Sequence, residues 1–183
     1  MRQLRPALLG LLSVAYPLWV YLGLGRFEPR WMALPLAAMA VVRAVATRER
    51  VWLAAAAGAL VLAAASMLGN HALPLKLYPL LVNGLLFTVF ATSLAFPPTV
   101  IERLARLREP ELPPSGVAYT RRVTQVWCGF FVLNGGISLG TALWGTDATW
   151  ALYNGLLSYG LMGLLFAGEW LVRRRVRAGP AHG

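Results

Sequence analysis

Six apolar runs, each of roughly 20 residues and separated by short segments that hold most of the arginines, constrain this chain more than any other feature. Wound as α-helix at 1.5 Å per residue, a run of that length crosses a hydrocarbon core of about 30 Å. The runs cover residues 7–25, 31–47, 51–69, 75–96, 123–145 and 150–172. The expected fold is therefore all-α: a polytopic integral membrane bundle of six transmembrane helices in a single domain. Composition agrees, since 58% of the 183 residues are hydrophobic and 13% charged, outside the usual range of soluble domains.

Arg2 and Arg5 precede the first run in the manner of a signal-peptide n-region. Its length, Trp19 and Tyr21 near its far end, and the lack of a small-x-small cleavage site before Arg26 favour a retained span over a cleaved signal. The second and third runs, joined by Arg48, Glu49 and Arg50, predict a tight helical hairpin. Arg43 lies about one turn from the end of the second run. It reads as a snorkelling side chain or as a functional intramembrane charge.

With the amino terminus inside, the inner segments hold thirteen arginines: Arg2, Arg5, Arg48, Arg50, Arg103, Arg106, Arg108, Arg121, Arg122, Arg173, Arg174, Arg175 and Arg177. The outer segments hold three basic residues, Arg26, Arg30 and Lys76. This bias puts both termini on the cytoplasmic side. The seven tryptophans, Trp19, Trp31, Trp52, Trp127, Trp144, Trp150 and Trp170, fall near the ends of the runs and read as an aromatic belt. Sixteen arginines against one lysine suggest a GC-rich genome and favour a bacterial inner membrane.

The net charge of +10 comes from short blocks between apolar runs, without an aromatic-interleaved basic domain. Anionic lipid headgroups, not nucleic acid, are the expected partners. The single cysteine, Cys128, excludes an internal disulfide and a cysteine-based metal site. Catalysis needs positioned histidine, carboxylate, cysteine or lysine groups, and the chain offers His71 in an outer loop, His182 in the tail and Asp147 as its one aspartate. No catalytic residue, cofactor or metal is expected, and there is no phosphate-binding or dinucleotide motif.

The one substantial loop spans residues 97–122. Pro97 and Pro98 end the fourth helix, and Thr99 with Glu102 forms a capping-box pattern that starts a short amphipathic segment. Ile101, Leu104 and Leu107 fall on one face of it, with Arg103 and Arg106 on the other. Two readings stand: a connector lying flat on an anionic membrane, or a docking site for a cytoplasmic partner. Residues 109–114 form a proline-interrupted turn.

Polar residues gather in the last three runs. Asn134, Ser138 and Thr141 follow i, i+4, i+7, Asn154 and Ser158 follow i, i+4, and Asn83 sits in the fourth run. These stripes predict a polar face inside the bundle, used for interhelical hydrogen bonds or for a hydrophilic ligand path. Gly136 and Gly140 give a GxxxG spacing for close helix contact, and Glu169 with Arg173 an i, i+4 ion pair. Arg103, Arg106, Arg121, Arg122, Arg173, Arg174 and Arg175 are the candidate lipid or partner contacts.

Beyond these readings, the string RRVTQVWCGFF from Arg121, with Arg121, Arg122, Trp127, Phe130 and Phe131, followed by Trp150 and Tyr153 in WALYN, resembles the bacterial inner-membrane septation protein A family. The proline-started basic segment 98–108 and the leucine-proline turn 112–114 resemble that family too. The likeness covers residues 75–172 and describes a sister group: Asn154 stands where the family more usually has lysine, and the ending GEWLVRRRVR departs from it. The chain is also similar to small membrane proteins encoded beside ketosynthases and acyltransferases of aryl-polyene-type pigment assembly. The resemblance implies a non-enzymatic scaffold or accessory role in septation or cell-envelope biogenesis. That scaffold would present residues 99–112 and the basic tail to envelope or division proteins and to lipids. The alternative is a small carrier or lipid- or polyene-handling protein using the polar faces of the last three helices, as a homo-oligomer; a membrane enzyme ranks third.

Overall fold

The computed structural model describes residues 16–24, 26–46 and 50–178. Arg2, Arg5, Arg48, Glu49, His182 and most of the first expected span fall outside these residues, as do the side chains of Arg43, Arg174, Arg175 and Arg177. Among the described residues the chain is helical with no strand: α1 (16–23), α2 (Pro29–Ala46), α3 (Arg50–Gly69), α4 (Leu73–Lys76), α5 (Tyr78–Ala95), α6 (Val100–Arg106), α7 (Pro114–Trp144), α8 (Asp147–Leu152), a π-turn (Tyr153–Leu157) and α9 (Ser158–Ala178).

Four helical stretches among the described residues are long and apolar enough to cross a membrane: Arg50–Gly69, Leu73–Ala95, Pro114–Trp144 and Asp147–Arg173. They coincide with the third to sixth apolar runs. Pro29–Val42 at the start of α2 is a shorter apolar stretch. Large apolar side chains such as Val61, Leu68, Leu133 and Leu164 face outward on these helices, as expected where the surrounding solvent is lipid rather than water.

The hairpin of α2 and α3 forms as the sequence predicts, sealed by small residues: Ala33, Leu36 and Ala40 on α2 share one core with Ala56, Ala59 and Ala63 on α3. Its open end is fixed by Asn70, which stops α3 in the left-handed conformation at φ 50°, a role asparagine takes more readily than most residues. The Asn70 Oδ1 accepts from the Arg30 backbone N–H at 3.3 Å, and the Ser66 hydroxyl donates to the His71 carbonyl at 2.7 Å. In the preceding turn Arg30 donates to Glu28 and holds its carboxyl below the usual carboxylate range.

The second extensive pairing is α5 with α7. Helix α7 begins at Pro114 rather than near Val123, so Arg121 and Arg122 lie within a helix and not in a loop. Proline suits a helix start because its missing N–H would be unsatisfied there in any case. After the π-turn, α9 diverges from α7 and is held mainly by side-chain contacts.

The expected amphipathic helix is present as α6, and Thr99 caps it by accepting from the Glu102 N–H at 3.2 Å. The reciprocal half of the capping box does not form, because the Glu102 carboxylate takes Arg106 instead, at 2.8 and 3.0 Å. The packed face also differs from expectation. Glu102 and Ala105 are buried, Ile101 is half-buried beside the Trp127 cluster, and Leu104 and Leu107 are 56% and 80% exposed.

Two further expectations are corrected. Gly136 and Gly140 meet no neighbouring helix, and the close approach is one residue earlier: a Cβ on Gly135 would lie 3.2 Å from the Asn83 Cβ. Trp150, expected in the belt, is fully buried, and Trp127 is 5% exposed, while Trp31, Trp144 and Trp170 do face outward. Gly135→Leu is therefore expected to lower stability by about 1–3 kcal/mol through overpacking against α5. Gly136→Leu should change it by less than ~0.5 kcal/mol. Thermal unfolding in detergent separates the two, and equal effects would contradict the assigned helix rotation.

Candidate functional site

The five polar residues singled out from their helical spacing, Asn83, Asn134, Ser138, Asn154 and Ser158, are all buried. They come from α5, α7, the π-turn and the start of α9 and form two adjacent hydrogen-bonded groups, one around Asn134 and one around Asn154, joined through the neighbouring positions Tyr153 and Asn154. The Asn134 amide donates to Asn83 Oδ1 at 3.1 Å, and the Asn83 amide donates to the Pro79 carbonyl at 2.8 Å. Asn134 Oδ1 accepts from the Tyr153 hydroxyl at 2.8 Å. One turn further along α7, Ser138 donates to Asn154 Oδ1 at 2.7 Å, and the Asn154 amide reaches both Thr141 Oγ1 and the Trp150 carbonyl, at 3.3 and 2.9 Å. The Ser158 hydroxyl returns to the Asn154 carbonyl at 3.3 Å.

The π-turn at Tyr153–Leu157 is part of this arrangement. A π-turn shifts the backbone ladder by one residue and locally loosens its bonding, and it is here that the Asn154 side chain bonds the Trp150 carbonyl. The adjacent Tyr153 and Asn154 both bond side chains of α7 from this turn. Sequence spacing identified the asparagines and serines but gave Tyr153 no such role; its position next to Asn154 breaks the i, i+4 pattern.

Beside the network lies a cavity of about 360 Å³. Asn83, Asn134, Asn154 and Ser158 form one wall, and Tyr16, Trp52, Ala55, Val82, Leu86 and Met162 supply mainly apolar surface from α1, α3, α5 and α9. The site thus has a short polar strip on an apolar chamber, the layout of pockets that orient a mostly apolar ligand by a few polar contacts. Among the described residues no three histidine, cysteine or acidic side chains cluster as metal ligands.

The basic residues are distributed differently from the polar ones. Arg103 donates to the Pro98 carbonyl at 3.0 Å, Arg106 is held by Glu102 and by the Pro110 carbonyl, and Arg121 donates to the Leu94 carbonyl at 3.0 Å. All three lock the chain's own loop and helix ends. Arg122 is exposed and Arg173 half-buried, and the anticipated Glu169–Arg173 ion pair is absent among the described residues. None of the ion pairs among the described residues was anticipated from the sequence, the long-range one least of all: Lys76 binds Asp147, 71 positions away, beside the Trp150 indole, which donates to the Lys76 carbonyl at 3.1 Å.

Compared with protein-family models, curated proteins and solved structures, the chain finds no match.

Replacing Asn134 by leucine leaves the Asn83 carbonyl oxygen and the Tyr153 hydroxyl without their partner. Interhelical hydrogen bonds in membrane bundles contribute roughly 0.6–2 kcal/mol each. Asn134→Leu is expected to cost about 1–3 kcal/mol, and Tyr153→Phe less. In a double-mutant cycle read by unfolding in detergent, the two should be non-additive; strict additivity would contradict the shared bond.

Proposed function

We propose that this chain is a non-enzymatic, six-span protein of a bacterial inner membrane that holds a lipid-like or polyene-like amphiphile in its central cavity. The cavity beside the Asn83–Asn134–Asn154 network carries this reading. Its volume of about 360 Å³ and its largely apolar lining suit a hydrocarbon chain, and the polar strip suits one hydroxyl, carbonyl or amide on that chain. Among the described residues the cavity is lined by no histidine, carboxylate or cysteine side chain, so the reading is one of holding the ligand. The resemblance to the septation protein A family and to membrane proteins of pigment assembly supports a place in cell-envelope biogenesis.

The scaffold reading stands second, favoured by one observation: Leu104 of α6 and Leu107 just past its end are exposed, as is Arg103. That face suits an interfacial helix pressed on headgroups or on a cytoplasmic partner. The ties that hold Arg103 and Arg106 to the chain's own carbonyls and to Glu102 place this reading behind the cavity.

Extraction of the chain from its native membrane followed by mass spectrometry tests both readings. The expected result is a stoichiometric lipid or polyene whose retention falls about tenfold, ~1.4 kcal/mol, in Ala55→Phe and in Val82→Phe, with little change in unfolding temperature. Retention unaffected by both variants sinks the cavity reading. A co-purifying envelope protein lost in the double variant Leu104→Ser, Leu107→Ser, with no bound lipid, moves the assignment to the scaffold.

The six-span topology rests on the thirteen-to-three arginine bias. In a Cys128→Ala background, His71→Cys should react with a membrane-impermeant maleimide in cells with a permeabilised outer membrane. Ser115→Cys should react only after the inner membrane is opened. The reverse pattern overturns the orientation.

A further inference from the structure

We infer that the groove between α7 and α9, at the arginine-rich end of the bundle, binds an aminophospholipid headgroup, with Arg122 taking the phosphate and Glu169 the ammonium. This site is separate from the central cavity and does not rest on the reading given for it.

Two contacts frame the groove. At its deeper end the Trp127 and Phe166 rings approach to 4.6 Å, and at its mouth the Tyr119 hydroxyl donates to the Glu169 backbone carbonyl at 3.3 Å. Between them lies an open space of about 400 Å³, walled by Val126, Trp127 and Leu165 and edged by Arg122 and Glu169. The polar end and the apolar wall run in the order of a lipid, headgroup first and acyl chain toward the aromatic floor.

Arg122 and Glu169 sit on facing helices and line the same groove, yet they do not pair. Among the described residues neither side chain makes an ion pair or a hydrogen bond, in contrast to Arg103, Arg106 and Arg121, which are each tied to the chain itself. At the edge of a low-dielectric layer, separated opposite charges favour an occupant that supplies the complement of both. An anionic headgroup would satisfy Arg122 and be repelled by Glu169, and a cationic amphiphile would do the reverse. A zwitterion carrying phosphate and ammonium a few bonds apart satisfies both.

The chemistry narrows the headgroup further. The planar arginine fork matches a phosphate. A primary ammonium presents three N–H donors to a carboxylate, whereas a quaternary ammonium presents none. Ethanolamine-type headgroups therefore fit better than choline-type ones.

The test uses the full chain in detergent micelles, titrated with phosphatidylethanolamine, phosphatidylcholine and phosphatidylglycerol of identical acyl chains and read by native mass spectrometry. Phosphatidylethanolamine should be retained about tenfold better than the other two, ~1.4 kcal/mol. Glu169→Gln should remove that preference while leaving phosphatidylglycerol binding intact, Glu169→Asp should keep it, and Arg122→Gln should weaken all three. The preference should persist in Ala55→Phe, and unfolding temperatures report whether each variant is folded. Equal retention of the three lipids by the unaltered chain overturns the proposal. A preference that survives both Glu169→Gln and Arg122→Gln, or one that Ala55→Phe abolishes in a folded protein, does so too.

Discussion

The interhelical hydrogen bonds centred on Asn134 and Asn154 are the interaction on which the rest of this bundle depends. Helices in lipid gain little from burying apolar surface against one another, because lipid chains solvate leucine as well as protein does. Association then rests on close packing and on polar groups whose alternative is to stay unpaired. Here the two conditions support each other: Gly135 lets α5 approach closely enough for the Asn83–Asn134 bond at 3.1 Å to form. That bond in turn selects one rotation of α5 against α7. The Tyr153–Asn134 and Ser138–Asn154 bonds then attach the π-turn to α7 from two consecutive positions.

Where the network ends, the packing loosens, and both candidate ligand spaces lie at such boundaries. The central cavity opens beside the polar strip, where α1, α3 and α9 close around it with apolar side chains. The second groove opens beyond the Trp127–Phe166 contact, where the Tyr119 hydroxyl on the Glu169 carbonyl bridges α7 and α9. A bundle held by one localised polar network thus leaves spaces of lipid dimensions without any loss of its central register.

The ends of the bundle are secured by a different device. Charged and aromatic side chains bond backbone carbonyls that helix termini leave without internal donors. At the end of the bundle that holds α4, the Tyr16 hydroxyl takes the Leu75 carbonyl and the Trp150 indole that of Lys76, with the Lys76–Asp147 pair alongside. At the other end Arg121 takes the Leu94 carbonyl of α5 and Arg103 that of Pro98. Arginine, with five donors and a permanent charge, performs this without needing a carboxylate partner.

The sequence by itself determined the helical class, the positions of the four long apolar helices, the Thr99 cap and the polar residues that meet inside the bundle. Each follows from local rules of length, capping and the 3.6-residue period, which act within one segment. Only the tertiary structure decided that Gly135 rather than Gly136 is the contact glycine and that Trp150 is buried. Only it decided that α6 packs on Glu102 and Ala105, that Lys76 meets Asp147, and that Arg122 and Glu169 edge one groove. The physical reason is rotational. Apart from their few polar residues, α3 and α5 are apolar on every side, as the core residues and the outward-facing Val61, Leu68 and Phe87 show together. A helix apolar all round carries no amphipathic stripe to state which face turns inward. That choice is made when the helices pack, by the close approach at Gly135 and the few bonds it permits.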